Sequence, residues 1–197
     1  MQHRLIATAI PYMNAGPHMG HAMEFIIADV LARYNRARGN DVFFLTGADE
    51  HGSKIHNKAQ ELGKPTLEML DENVALFTTL EDALSVIPDD FIRTTDKVRH
   101  WPTAQSIWQK IATKGDIYKQ QYSGLYCEGC EVFMPEKDLD EKGECPIHHK
   151  KPTLLEEENY FFALSKYEKQ LTDLISSDTI KITPDFRKNE ILSFLSE

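Results

Sequence analysis

Apolar and polar positions follow two periods along residues 1–115. Arg4-Leu-Ile-Ala-Thr-Ala-Ile10 is a short apolar run closed by Pro11, the pattern of a buried strand. Met19, Met23, Ile26, Ile27, Val30, Leu31 and Tyr34 then recur at three- and four-residue spacing. They predict a helix from about Met19 to Arg38 with that face turned inward, stopped by Gly39. Asp41–Thr46 reads as a second apolar strand, followed by a helix from Lys54 to Leu62. Another helix, Thr66 to Leu84, carries Leu67, Leu70, Val74, Phe77 and Leu84 on one face. Asp90–Thr94 is a third strand, and a helix ending near Lys114 carries Ile107, Trp108 and Ile111. Trp101 and Trp108 read as helix packing rather than a base-stacking platform. Strands joined by helices predict an open, parallel α/β sheet with right-handed crossovers.

After Gly115 the texture changes, so the chain divides into 1–115 and 116–197. Residues 117–150 hold short β-like pieces, turn signals and all three cysteines. The run Glu156-Glu157-Glu158 reads as a solvated connection, and Tyr160-Phe161-Phe162 as the core of the second unit. A helix from about Lys166 to Ile175, a short strand at Ile180–Ile182 and a helix from Phe186 complete the pattern. Ile191, Leu192, Phe194 and Leu195 continue to the end with no closing turn, which predicts a sequence cut short within a longer protein.

Composition narrows the class. A hydrophobic share of 41% with 27% charged residues is globular rather than disordered. Apolar runs such as Phe43-Phe44-Leu45 fall far short of the ~20 residues a membrane helix needs. Pro11, Asn14, Pro17 and His18 break up any secretory core, so a cytoplasmic protein without a membrane partner is expected. Lys and Arg total 22 against 31 Asp and Glu, a net charge of −9. That excludes wrapping nucleic acid by bulk charge, though not a local basic face.

Cys127-x2-Cys130 and Cys145-x2-His148 form two chelating pairs that use every cysteine in the chain. Thiolates and imidazole at this spacing suit one tetrahedral zinc, and four protein ligands make the site structural. His149 is the rival fourth ligand. An odd cysteine count without an export signal argues against disulfides.

Pro11-Tyr-Met-Asn-Ala-Gly-Pro-His18-Met-Gly-His21 lies where the first strand gives way to the first helix. A helix N-terminus at the carboxyl edge of a parallel sheet receives phosphate, and Gly20 lets a nucleotide approach the backbone. His18 and His21 would project at the same helix end and donate hydrogen bonds to phosphate oxygens; the alternative is that they only cap the helix. Thr46-Gly-Ala-Asp49-Glu-His51-Gly52 ends the second strand, where Asp49 can pair with an ammonium group. His18, His21, Asp49 and His51 could instead hold a catalytic metal, as in a hydrolase. A third possibility is a non-enzymatic zinc module that binds RNA. Lys137, Lys142, Lys150 and Lys151 surround the knuckle, but Glu128, Glu131, Glu136, Asp138, Asp140, Glu141 and Glu144 interleave them and leave no strong basic face.

With these motifs the sequence resembles the methionyl-tRNA synthetase family of class I aminoacyl-tRNA synthetases. Residues 9–21 resemble its first signature in the His-x-Gly-His form, and residues 44–52 its second-strand motif. Asp90–Thr95, Gly124–Cys130 and Cys145–His148 are similar as well. The resemblance implies the first half of a Rossmann-like nucleotide-binding sheet, interrupted by a small zinc-knuckle α+β insertion holding one zinc. It implies that His18 and His21 contact ATP phosphates, with Asn14 and Gly20 shaping the site. Ile10 and Tyr12 would line a methionine pocket, and Asp49 would hold the methionine ammonium. Cys127, Cys130, Cys145 and His148 would bind zinc, and magnesium would accompany ATP. The implied partners are ATP, L-methionine and tRNA(Met). The family's Lys-Met-Ser-Lys-Ser loop is absent from these residues, so the chain alone is expected not to make adenylate at an enzymatic rate.

Overall fold

A computed structural model describes residues 1–130 and 132–196; Glu131 and Glu197 lie outside the described residues, as does the side chain of Glu157. Two three-stranded sheets organise the chain. The first contains β1 (His3–Ala7), β2 (Asp41–Ala48) and β3 (Asp90–Arg93), parallel and in that spatial order. Helix α1 (Met19–Ala37) connects β1 to β2, and α2 (Ser53–Glu61) and α3 (Thr66–Leu84) connect β2 to β3. β1 is shorter than expected. Beyond it, Asp49 N–H donates to the Pro11 carbonyl (2.9 Å) and Met13 N–H to the Asp49 carbonyl (3.1 Å).

The core lies on one face of this sheet. Val42, Phe44 and Ala48 alternate along β2 and pack with Phe25, Ala28 and Ala32 of α1, Ile55 and Ala59 of α2, and Met69, Leu70 and Phe77 of α3. This reverses the expected face of α1. Ala22, Phe25, Ala28 and Ala32 are the buried stripe, whereas Met19, Met23, Ile26, Ile27, Val30, Leu31 and Tyr34 are 43–83% exposed. Small alanines let the helix approach the sheet closely, while residue size alone points to the opposite side. Leu67 of α3 is likewise exposed, at 62%.

Helix α4 (His100–Thr113) follows, with no buried residue. The Trp101 indole N–H donates to the Thr94 carbonyl (3.0 Å), and Trp108, about half exposed rather than packed away, meets Tyr160 edge-on at 5.3 Å. The second sheet is antiparallel, with the long β4 (Ile117–Cys127) between β5 (Val132–Met134) and β6 (Thr153–Phe162). The acidic run is therefore strand rather than loose connection: Glu156, Glu157 and Glu158 pair in register with Ser123, Tyr122 and Gln121. Cross-strand pairing overrides the low strand propensity of glutamate there, and Lys119 Nζ reaches Glu158 at 2.5 Å. Of the three aromatics, Phe161 packs with Tyr118 and Tyr122, whereas Tyr160 and Phe162 are about half exposed. Helices α5 (Glu168–Ser176) and α6 (Asp185–Leu195) follow, and no strand forms at Ile180–Ile182.

Glu81 of α3 is buried, and its Oε1 has no hydrogen-bond partner. Burial, with Asp82 beside it, pushes its carboxyl up to about 7. The folded chain then keeps a proton that the unfolded chain releases. Stability falls as pH rises from the ordinary carboxylate range to about 7 and is flat above. Glu81→Gln is expected to stabilise the chain by roughly 1–3 kcal/mol at pH ~8 and by nothing near pH ~4. Urea titrations at the two pH values check this; an equal gain at both would contradict it.

Candidate functional site

The first cluster forms where β1 passes into α1. His18 is the N-cap of α1, and its Nδ1 accepts from Gly20 N–H (3.1 Å). His21 Nδ1 accepts in return from His18 N–H (3.2 Å), closing a reciprocal capping box. The rings stack with centroids 3.7 Å apart, and His21 also leans on Phe77 at 5.0 Å. The capping role is thus real, and it leaves room for the other. Each Nδ1 caps the helix as an acceptor, so each neutral ring carries its proton on Nε2, the donor it can offer a ligand. Burial, reinforced by the neighbouring His18, lowers the pKa of His21 and favours that neutral form. Gly20 is fixed by the same ring: a Cβ there would lie 2.9 Å from His18 Cε1.

The end of β2 comes alongside. Tyr12 and Asp49 form a parallel bridge, which sets Asp49 next to the segment carrying Ile10 and Tyr12. Ile10 Cγ2 lies 3.2 Å from where a Cβ on Gly47 would be. Ile10 and Tyr12 are partly exposed, at 39% and 37%. The Asp49 loop is fastened by a residue that its motif does not distinguish. Buried Glu50 takes the Arg93 Nε (2.6 Å) and the Thr95 hydroxyl, and its own N–H donates to Thr94 Oγ1 (2.9 Å). Arg93 also reaches Asp71 at 2.6 Å. Two adjacent carboxylates look equivalent in sequence; only folding shows that Glu50 anchors the loop. His51 is held as well, with Nε2 3.1 Å from the Thr94 carbonyl.

The second cluster is the knuckle. Ligand atoms of Cys127, Cys130, Cys145 and His148 all lie within 4.8 Å of one another. Cys130 Sγ is 3.5 Å from Cys145 Sγ and 3.3 Å from His148 Nδ1. Cys145 and Cys127 Sγ lie 3.7 and 3.9 Å from the same nitrogen. A zinc tetrahedron has edges of about 3.5–3.8 Å, so the four groups fit that ion. His148 therefore occupies the fourth corner. His149 lies outside the cluster at φ 50°, its N–H on the Cys145 carbonyl (2.8 Å). Gly129 makes the packing feasible, because a Cβ there would sit 2.4 Å from His148 Cγ. Among the described residues, His18, His21, Asp49 and His51 do not gather into a metal-holding group.

A cleft of about 410 Å³ separates the two clusters, lined by Asn14, by Lys54, Asn57, Lys58 and Glu61 of α2, and by Tyr126–Gly129, His148, Lys150, Lys151 and Thr153. Nothing in the sequence singles out the α2 lysines, because they meet Lys150 and Lys151 only in the fold.

Comparison with known proteins agrees with this arrangement. A family model described as tRNA synthetases class I (M) matches residues 4–153. Methionine–tRNA ligase of Thermotoga maritima is 45% identical over 193 residues, which are 96% of this chain and 30% of that protein. The chloroplastic/mitochondrial methionine–tRNA ligase of Arabidopsis thaliana is 40% identical over 97% of this chain and 31% of its own length. The crystal structure of Mycobacterium tuberculosis methionyl-tRNA synthetase bound by methionyl-adenylate superposes with a TM-score of 0.91 at 38% identity, over 99% of this chain and 39% of that one. The free-state structure of the same enzyme gives 0.78 at 36% identity, over 100% of this chain and 37% of that one. The chain spans about 30% of the length of these curated relatives. No helix among the described residues is long and apolar enough to cross a membrane. With a family match over residues 4–153 and a relative 45% identical over 96% of the chain, the chain belongs to the tRNA synthetases class I (M).

Proposed function

We propose that these residues form the ATP- and methionine-receiving part of a methionine–tRNA ligase. The observation that carries this reading is the His18–His21 box, which caps α1 through Nδ1 and leaves two Nε2–H donors at a helix N-terminus. In the proposed reaction the methionine carboxylate attacks the α-phosphate of ATP, the Pα–O bond to pyrophosphate breaks, and methionyl-adenylate forms. A ribose hydroxyl at the end of tRNA(Met) then attacks the acyl carbon and releases AMP. His18 and His21 donate to phosphate oxygens as negative charge shifts onto them, a role of positioning and charge stabilisation. Asn14 and Gly20 shape the phosphate site. Asp49 accepts from the methionine ammonium, and Ile10 and Tyr12 line the side-chain pocket. Magnesium on the ATP phosphates supplies charge neutralisation. Cys127, Cys130, Cys145 and His148 would hold one zinc, which would supply structure rather than chemistry. Residues 1–115 would be the nucleotide-binding unit and 116–197 the insertion, both in the cytoplasm.

His21→Ala tests the reading, with binding of a sulfamoyl analogue of methionyl-adenylate measured by calorimetry. Losing a charge-assisted hydrogen bond of ~1.5–3 kcal/mol is expected to weaken binding about 10- to 100-fold. An unchanged affinity, or no binding to the parent chain, would overturn the proposal. In ATP–pyrophosphate exchange the 197-residue chain is expected to show no enzymatic rate; robust methionine-dependent exchange would contradict that expectation.

A further inference from the structure

We infer that the knuckle is a modification site for hydroperoxides: Cys130 is the thiolate they oxidise, Cys145 closes a disulfide onto it, and the metal leaves. The inference rests on the zinc assignment proposed above and adds to it a reactivity of the ligand thiols themselves.

Access singles out Cys130. Cys145 is fully buried and Cys127 nearly so. Cys130 is partly exposed, and His148 beside it is exposed. The cluster therefore has one side open to a small solute and one side closed. Susceptibility of a thiol to peroxide follows its thiolate character and its exposure. Metal ligation confers the first on all three cysteines alike, so exposure decides among them.

Distance singles out the partner. Cys130 Sγ lies 3.5 Å from Cys145 Sγ. A disulfide of ~2.05 Å requires the sulfurs to close by about 1.5 Å, which side-chain rotation can supply. Cys145 is held in place for this: its N–H donates to the Lys150 carbonyl (2.9 Å), and its own carbonyl accepts the His149 N–H (2.8 Å). The bond would join the two chelating turns, 15 residues apart in sequence, which are the same two turns that the metal joins. Oxidation thus exchanges one staple for another.

The chemistry balances with hydrogen peroxide as the oxidant. The Cys130 thiolate attacks one peroxide oxygen, the O–O bond breaks, and the other oxygen leaves as hydroxide and takes up a proton. Cys130 is then a sulfenic acid. The Cys145 thiolate attacks its sulfur, the S–S bond forms, and the S–O bond breaks, releasing a second hydroxide that is protonated in turn. Two thiolates, one peroxide and two protons become one disulfide and two waters, with two electrons passing from sulfur to oxygen. Cys127 and His148 remain, two ligands where a structural zinc needs four. The third thiol of the chain, Cys127, is left reduced.

The test treats the zinc-loaded 197-residue chain with a molar excess of hydrogen peroxide. A chromogenic chelator reads the zinc released, and peptide mapping after an acid quench and alkylation reads the pairing. The expected result is one zinc released per disulfide formed, a Cys130–Cys145 cross-link and an alkylated Cys127. A dithiol followed by zinc should then reload one ion per chain. Cys130→His keeps a nitrogen donor at that corner and should hold zinc while releasing it at least ~10-fold more slowly under peroxide. Release from that variant at the parent's rate overturns the inference, as does a main cross-link from Cys127 to either other cysteine. If the variant binds no zinc, the cross-link mapped in the parent decides alone. A parent chain that never loads zinc overturns the metal assignment beneath the inference. A loaded chain that keeps its zinc under peroxide overturns only the inference.

Discussion

In the proposed zinc site, Cys145→Ser should reduce the bound metal from one ion per chain to none and melt the second sheet while the first remains protected. Cys145 is fully buried, and its sulfur is one of four corners around a space of ionic size. Burial raises its thiol pKa, but hydrogen bonds from the His148 N–H and ring and from Ile147 N–H outweigh that and bring it to about 6, so the cluster is already disposed to hold a thiolate. Serine keeps the shape and loses the soft donor. Structural zinc contributes ~10–16 kcal/mol of apparent binding free energy in small domains, far more than the few apolar contacts near the knuckle supply. Among the described residues beyond 115, the buried hydrophobic residues apart from Cys127 and Cys145 reduce to Ile175. Hydrogen exchange should therefore lose protection across β4, β5 and β6 and keep it across β1 to β3. His149→Ala, by contrast, should retain the ion. Stoichiometric zinc in the Cys145 variant, or its loss in the His149 variant, would show that the four corners are misassigned.

Gly47→Ala is expected to cost about 3 kcal/mol or more, lowering the melting temperature by about 6–12 °C. A Cβ on Gly47 would stand 2.2 Å from the Ile92 carbonyl oxygen and 2.8 Å from Ile92 Cγ2. The close neighbour is backbone, so no rotamer change relieves it, and β2 would have to part from β3 over the pairs Leu45↔Asp90 to Ala48↔Arg93. Asp49 and Glu50 follow directly, so the loop proposed to receive the methionine ammonium would shift with the strand. Urea unfolding together with analogue binding checks this. A midpoint within error of the parent would mean that the two strands are not packed this tightly.

Gly47 also marks the boundary of what a linear reading reaches. Its motif is legible, but the reason for a glycine is not, since the clash is with a residue 45 positions away. The capping histidines show the opposite. Their spacing and the strand ahead of them are local, so the helix end they cap is legible in the linear pattern alone.

The sequence by itself determined the alternation of strands and helices in residues 1–115, the His-x-Gly-His turn and the Cys/His cluster up to the choice between two histidines. Each of these depends on neighbours within a few turns of chain. The tertiary structure decided which side of α1 faces the sheet, because both sides are apolar and only contact geometry favours the alanine stripe. It made a strand of Glu156–Glu158 by pairing it with β4, and it selected His148 by laying its ring over Gly129. It also separated Glu50 from Asp49 and joined four lysines from two distant segments into one cleft. Those outcomes depend on which surfaces meet across the fold, and no periodicity along the chain encodes that meeting.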